Sequence, residues 1–202
     1  MIRNIYFVVI GLFSLLAISC GGNTASQTKA SAVGADVDLS IYDKRPVAGS
    51  SWEHVSRKHT TGDIYEEGFI ENGKKVGTWT SYYPDNAYLE TITNYENGAL
   101  MGAFLEFDER GRLNKHFTYE NNVLSGPYTE FKNGRIVRKI QYLNGEINGY
   151  IREYNNKATM IKEAFYTNNQ LDGEVNSYNE DGKLVLQYIY KNGQQISGGI
   201  VE

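Results

Sequence analysis

Few side chains in this 202-residue sequence have the types and spacing that catalysis or metal binding requires. The histidines His54, His59 and His116 are scattered, without the paired-ligand spacing of a zinc site. No G-x-S-x-G motif supplies a nucleophile. Residues 179–182, NEDG, faintly resemble a calcium loop, but a hairpin turn explains them better because the later glutamate ligand is missing. We therefore expect a protein that is not an enzyme and uses no metal or cofactor.

Cys20 is the only cysteine, so no intrachain disulfide can form. It follows a segment, residues 1–19, whose only charge is Arg3 and whose apolar run of about 14 residues is too short to span a bilayer comfortably. The sequence Ala-Ile-Ser-Cys that ends at Cys20 resembles the lipobox of bacterial lipoproteins. The resemblance implies cleavage before Cys20, a diacylglycerol on its thiol and a place in the cell envelope. An ordinary secretory signal with a chance cysteine is the alternative.

The residue after Cys20 and the net charge of the chain indicate how the protein is attached to a membrane and whether it binds nucleic acid. Gly21 supplies no acidic retention signal of the enteric type, which favours the outer membrane. The chain carries 20 Lys and Arg against 24 Asp and Glu. This acidic balance disfavours binding to nucleic acid or to anionic lipid. We therefore expect no nucleic acid partner, and contact with the membrane through the lipid anchor only.

Residues 110–139 depart from this balance, with seven cations against Glu120 and Glu130. The stretch predicts a site for an anionic partner. The candidate residues are Arg112, Lys115, Arg135, Arg138 and Lys139, with Phe104 and Tyr128 as aromatic contacts. The alternative is a solvated strand face whose cations sit diagonally to glutamates. The aromatic residues likewise have two interpretations, stacking on a sugar or peptide and covering one another within the fold.

Six Asn-Gly dipeptides mark a repeat of about 24 residues. Its aligned second glycines are Gly77, Gly102, Gly126, Gly149, Gly173 and Gly198. Between the turn signals, β-branched and aromatic residues alternate with polar ones, and no window has a helical period. The sequence predicts an all-β protein: an open antiparallel β-meander of tandem hairpins in a single-layer twisted sheet.

The same pattern divides the chain into four parts. Residues 1–19 are the predicted signal peptide, and residues 20–36, small and polar, are a flexible tether. Residues 37–67 are a transitional segment or degenerate first repeat. Residues 68–202 form the repeat domain.

The repeat also predicts a register. Across the Asn-Gly turn that joins one unit to the next, Tyr95 is predicted to pair with Leu100. Across the longer loop of the same unit, Gly102 pairs with Phe117 and Phe104 with Lys115, so that each glycine makes room for a ring opposite. The predicted pairs in the next unit are Glu130–Ile136, Tyr128–Arg138, Gly126–Ile140 and Leu124–Tyr142. The other face is predicted to carry the ladder Tyr82, Phe107, Phe131, Tyr154 and Tyr178.

The pattern N-G-x-[LI]-x-G-x-[FYW]-x-x-[YF] resembles the bacterial variant of the MORN repeat, found in YwqK-type antitoxin components. The best matches are ENGKKVGTWTSYY from Glu71 and ENGALMGAFLEF from Glu96. The resemblance covers about residues 62–202, with departures at Asn122 and Asn169, where Gly is usual. It implies an open β-meander used as an interaction surface and sometimes dimeric, so a homodimer is compatible with it.

The leading functional hypothesis is a membrane-anchored envelope lipoprotein that acts as a non-enzymatic β-repeat module for a protein or glycan partner, not yet identified. One alternative is an immunity or antitoxin-like protein that neutralises a cognate toxin. Another is a purely structural spacer in the envelope.

Overall fold

The structure is a computed structural model that describes residues 38–201. The predicted signal peptide, the tether and Cys20 lie outside the described residues. The described chain forms one open antiparallel sheet of 15 strands in meander order, which confirms the predicted fold class. The other regular element within this range is a 3-10 turn at Leu39–Ile41.

Apart from β8, each strand pairs with the strands next to it in sequence. The strands are β1 (Asp43–Pro46), β2 (Glu53–Lys58), β3 (Ile64–Glu71), β4 (Lys74–Tyr82), β5 (Leu89–Glu96), β6 (Ala99–Phe107), β7 (Leu113–Glu120), β8 (Val123–Leu124), β9 (Gly126–Lys132), β10 (Arg135–Leu143), β11 (Glu146–Tyr154), β12 (Met160–Thr167), β13 (Gln170–Tyr178), β14 (Leu184–Lys191) and β15 (Gln194–Ile200). Strands β8 and β9 both pair with β7 and are separated only by Ser125. The 37–67 segment contributes β1 and β2, and its boundary with the repeat domain falls inside β3.

Tight turns with left-handed backbone join one repeat to the next along one side of the sheet, which we call the turn edge. Asn97 and Gly98, for example, have φ of 49° and 86°. The departures Asn122 and Asn169 keep this conformation, with φ of 70° and 66°. Asparagine tolerates positive φ better than other residues with a Cβ, so the turn survives without glycine.

Successive turns are hydrogen bonded to each other. The N–H of the second turn residue donates to a carbonyl of the preceding repeat at 2.8–3.0 Å. The pairs are Gly98 to Lys75, Asn122 to Leu100, Gly145 to Leu124, Asn169 to Ile147 and Gly193 to Leu171. Asn122 Oδ1 also accepts from the Leu100 N–H at 2.7 Å, and Asn169 Oδ1 accepts from that of Ile147 at 2.8 Å. The asparagine that replaces glycine therefore adds a second bond between repeats.

The register predicted across the turns is correct. Tyr95 pairs with Leu100, and three later repeats have the same pairing. These pairs are Tyr119–Leu124, Tyr142–Ile147 and Tyr166–Leu171. At these four turns the two-residue connection fixes the pairing beside it, so the sequence was sufficient here.

The register predicted across the longer loops is wrong by two residues. Gly102 pairs with Tyr119, and Phe104 with Phe117. One residue of the shift arises at the loop, where Phe107 pairs with Leu113 rather than Arg112. The other comes from a β-bulge that leaves Asn114 without a partner. In the next repeat Lys132 pairs with Arg135, so the loop is the two-residue turn Asn133-Gly134 rather than the predicted three-residue loop, and Val137 is bulged. The pairs Tyr128–Ile140, Glu130–Arg138 and Gly126–Tyr142 replace the predicted ones. A shift of two residues keeps every side chain on its predicted face.

Among the aligned glycines, Gly102 has a different role from the predicted one. Gly102 has φ of 86° and lies in a bulge between the pairs Thr93–Phe104 and Tyr95–Leu100. A Cβ at Gly102 would meet nothing closer than Asn94 Cβ at 3.9 Å, so no ring lies against it. The positive φ, which costs other residues strain, explains the glycine here.

A ring does lie over glycine at Gly68. A Cβ there would fall inside the van der Waals radius of the Trp79 indole. The Trp79 Nε1–H donates to the Phe69 carbonyl at 2.9 Å, which holds the ring in place. Trp79 is consequently only 2% exposed, together with Val55 and Ile70 in the main buried cluster.

One row of residues, one from each of the strands β2–β7 and β9–β14, forms the centre of the sheet; we call it the core row. Its members are Val55, Gly68, Trp79, Thr93, Phe104, Phe117, Tyr128, Ile140, Ile151, Ala164, Val175 and Tyr188. Phe104 and Phe117 stack with centroids 4.5 Å apart and planes at 14°. Each ring is buried mainly by its neighbours in the row, which suits a sheet with one layer.

The predicted aromatic ladder of the other face lies at strand ends, beside the longer loops. Each ring pairs across its loop with an aliphatic residue. The pairs are Tyr82–Leu89, Phe107–Leu113, Phe131–Ile136, Tyr154–Met160 and Tyr178–Leu184.

Replacing Gly68 by alanine is expected to lower the free energy of unfolding by about 1–3 kcal/mol, because the indole above it must move. The matched control is Gly199→Ala, since a Cβ there meets nothing within 4 Å. That change is expected to stay within about 0.5 kcal/mol. Urea denaturation measures both, and equal losses at the two positions would contradict the close approach of Trp79.

Candidate partner-binding face

Lys115 and Arg138 lie on the face of the core row, and both are directly opposite glutamates rather than diagonal to them. Lys115 pairs with Glu106 on one side and Glu130 on the other. Arg138 pairs with Glu130 and with Glu153. The loop and the bulge together shift the register by two residues and bring these opposite charges into line.

The result is a row of alternating charge that crosses six adjacent strands of the sheet, beside the core row. We call it the charge row; it consists of Glu106, Lys115, Glu130, Arg138, Glu153 and Lys162. Lys115 Nζ is 3.0 Å from a Glu106 oxygen, and Arg138 Nε is 3.9 Å from Glu153. Glu106 is nearly buried, whereas the Arg138 and Glu153 side chains are each 39% exposed. This surface presents both signs of charge rather than a basic patch.

The two aromatic candidates belong to the core row. Phe104 is buried and stacks on Phe117. Tyr128 stacks on the other side of Phe117 at 5.2 Å, and its hydroxyl donates to Glu130 at 3.0 Å. Burial raises the pKa of Tyr128, and the neighbouring Glu130 carboxylate adds to the effect. Both rings therefore have a structural role, while the Tyr128 hydroxyl connects the core row to the charge row.

Lys139 lies on the opposite face, where its cross-strand partner is Arg152. Arg152 is already engaged, since Nε donates to Glu163 at 2.5 Å and the guanidinium lies 4.6 Å from the Tyr150 ring centroid. Lys139 itself is exposed. It therefore cannot act with Lys115 and Arg138 on one partner surface of the sheet.

Arg112 and Arg135 lie at the edge formed by the longer loops, which we call the loop edge. Arg112 donates to Asn133 Oδ1 at 2.9 Å, and Arg135 donates to the Asn156 carbonyl at 2.7 Å. Each arginine thus reaches the loop of the following repeat. An open cleft of about 530 Å³ lies between Tyr83, Arg112 and Asn133. The seven candidate residues are accordingly divided among two faces and one edge.

A buried charged cluster near the start of the sheet had no signal in the sequence. Lys75 is 7% exposed, and its Nζ is 2.7 Å from Glu66 and 3.7 Å from the centroid of the Trp79 ring. The Tyr42 hydroxyl donates to the same carboxylate at 2.7 Å. Burial lowers the pKa of Lys75, although the Glu66 carboxylate opposes the shift. The cluster joins the segment after the 3-10 turn to the first strands of the sheet.

Within residues 38–201, no three His, Cys, Asp or Glu side chains lie close enough together to hold a metal ion. In the same range, no helix has the length and apolar character needed to cross a membrane. No protein-family model matches the chain, and no curated protein matches it. The geometry of the sheet is therefore the basis for a functional proposal.

Asp108 gives the loop edge a pH dependence. Its carboxylate accepts from Arg112 Nε at 2.8 Å and from the Arg110 and Arg112 N–H groups at 3.0 Å. The hydrogen bonds, of which that from the Arg112 side chain is the strongest, lower the pKa of Asp108 to about 2. Because an unfolded aspartate has a pKa of about 3.9, the stabilising contribution is complete above that pH. It is lost as the pH falls toward 2.

We expect Asp108→Asn to be less stable than the wild type at neutral pH, and the difference in unfolding free energy to shrink below about pH 4. Urea denaturation at a series of pH values measures this. A difference that stays constant down to about pH 2.5 would show that the charge of Asp108 does not contribute.

Proposed function

We propose that this protein is a non-enzymatic envelope lipoprotein whose repeat sheet binds a protein partner through the face that carries the charge row. The observation that carries the proposal is the alternation of Glu with Lys or Arg across six adjacent strands of the sheet. Neighbouring strands are about 4.8 Å apart, so these charges have a fixed and regular spacing. A partner with the complementary spacing would be recognised by sign and register.

The tyrosines that flank the core row on its other side support a protein partner. Tyr119, Tyr142 and Tyr166 recur once per repeat and are partly exposed. Burial raises the pKa of each hydroxyl, so all three remain neutral donors at physiological pH. Tyrosine is enriched among residues that dominate binding energy at protein interfaces, because it combines a rigid ring with a polar end.

A glycan partner is supported less well. Stacking on a sugar requires open ring faces, and Phe117 is covered on one side by Phe104 and on the other by Tyr128. Phe104 and Phe117 are 7% and 4% exposed. The ring faces on which a sugar would stack are thus already covered by neighbouring rings of the core row.

The test inverts the charge row while preserving its internal pairs. The variant carries Glu106→Lys, Lys115→Glu, Glu130→Lys, Arg138→Glu, Glu153→Lys and Lys162→Glu. Its net charge is unchanged, and each charge still faces opposite charge. We expect thermal unfolding close to that of the wild type, and about a tenfold or greater loss of the captured protein partner. Quantitative mass spectrometry of pull-downs from envelope extract measures the loss.

Lys139→Glu, on the opposite face, is the control and is expected to retain the partner. If the inverted variant captures the same proteins as the wild type, the charge row is not the binding surface. If the wild type retains nothing, binding itself is contradicted and a structural spacer is the better explanation.

Anchoring through Cys20 is the second part of the proposal and is supported by its lipobox-like context. We expect labelled palmitate to enter the wild-type protein and not Cys20→Ala, and the variant to leave the membrane fraction. Several acyl chains hold a protein far more firmly than one, so the difference should survive washing with high salt. A Cys20→Ala protein that is processed normally and stays membrane-bound would count against the lipid anchor.

A further inference from the structure

In three of the Asn-Gly turns the glycine N–H donates a hydrogen bond to the preceding repeat, and in two others, within residues 38–201, it does not. From this difference we propose that Asn72 and Asn133 are sites of spontaneous deamidation, whereas Asn97, Asn144 and Asn192 are protected by the fold. The inference does not depend on the proposed function.

The chemistry is local to the dipeptide. The glycine nitrogen loses its proton to water or hydroxide and attacks Cγ of the preceding asparagine, forming a C–N bond and a five-membered succinimide. The side-chain amide leaves as ammonia. Water then opens the ring at either carbonyl and gives aspartate or isoaspartate, so the net reaction consumes one water and releases one ammonia. Glycine favours the reaction because no side chain hinders its nitrogen.

The structure restrains this nitrogen in three of the tight turns. The N–H groups of Gly98, Gly145 and Gly193 donate to carbonyls of the preceding repeat, each at 2.8 Å. Attack requires that this bond break and that the turn leave its left-handed conformation. The hydrogen bond therefore opposes both the loss of the proton and the change of backbone shape.

Gly73 and Gly134 are not restrained in this way. Among the described residues, neither N–H donates to a backbone carbonyl outside the regular strand ladder. Gly73 belongs to the first Asn-Gly turn of the turn edge, and Gly134 lies at the loop edge, away from the column of stacked turns. A Cβ built at either glycine would meet nothing within 4 Å, but the same is true of Gly193, so open surroundings do not separate the two groups.

Solvent exposure does not separate the two groups. Asn72 and Asn133 are exposed, and so are the protected asparagines Asn97, Asn144 and Asn192. The remaining dipeptide lies inside strand β11, where Gly149 pairs with Tyr166 and the Asn148 side chain donates to Asn168 Oδ1 at 3.0 Å. The hydrogen bond from the glycine N–H is thus the feature that distinguishes the tight turns.

Conversion at Asn133 would alter the loop edge. Arg112 Nη1 already donates to Asn133 Oδ1 at 2.9 Å, so a carboxylate there would form an ion pair between successive loops. Isoaspartate would instead add one backbone atom to a two-residue turn and disturb the pairing of Lys132 with Arg135.

The folded protein is incubated at mildly alkaline pH, and peptides containing each asparagine are quantified over time by mass spectrometry with isoaspartate detection. We expect Asn72 and Asn133 to convert faster than Asn97, Asn144 and Asn192 by a factor of roughly 2 to 10, the effect of one hydrogen bond. Incubation in denaturant is the matched control, in which this difference should disappear.

Conversion of Asn97, Asn144 or Asn192 as fast as Asn72 and Asn133 in the folded protein would overturn the proposal. A difference of the same size in denaturant would also overturn it, since the cause would then be local sequence rather than the turn hydrogen bonds. Neither result bears on partner capture by the charge row.

Discussion

Each strand of this protein is supported mainly by the two strands beside it, because the sheet has a single layer. A side chain in such a sheet is buried by the residues directly across from it, and register therefore determines burial. The stack of Phe104 on Phe117 and of Phe117 on Tyr128 shows how this works in the core row. Stability in such an array is approximately a sum of terms between neighbours, as in other repeat proteins. Side chains outside the core row can therefore differ from one repeat to the next.

The register was predictable where the backbone had one solution. An Asn-Gly turn of two residues fixes the pairing of Tyr95 with Leu100, and the structure has that pair. The longer loops permit more than one solution, and here the loop and the bulged residue Asn114 each change the pairing by one. Nothing in the composition of the loop distinguishes a bulge from a longer loop. Gly102 had the right position but the wrong explanation, because a positive φ at a bulge selects glycine just as space for a ring does.

The candidate site was predictable only in part, for the same reason. Alternation along a strand places the neighbours Arg138 and Lys139 on opposite faces, so one surface could not contain both. The shift of register then changed Lys115 from a cation near glutamates into one directly between Glu106 and Glu130. The cluster of Lys75, Glu66 and Tyr42 joins residues that are far apart in sequence. Its lysine has the sequence context of an ordinary turn residue, and the packing of Trp79 and Tyr95 over it makes it a buried charge.

The backbone-to-backbone hydrogen bonds made by the tight turns all run in one direction, from the N–H of a later repeat to a carbonyl of the one before it. An interior repeat therefore supplies a donor to one neighbour and an acceptor to the other. Duplicating or deleting a whole repeat would leave every such bond with a partner. Inserting or deleting a single strand would instead reverse the direction of the chain after it, and the next turn would lie at the opposite edge of the sheet. Genes for proteins built this way can accordingly lengthen or shorten in steps of one repeat, and the reach of the sheet can evolve without redesign of its interior.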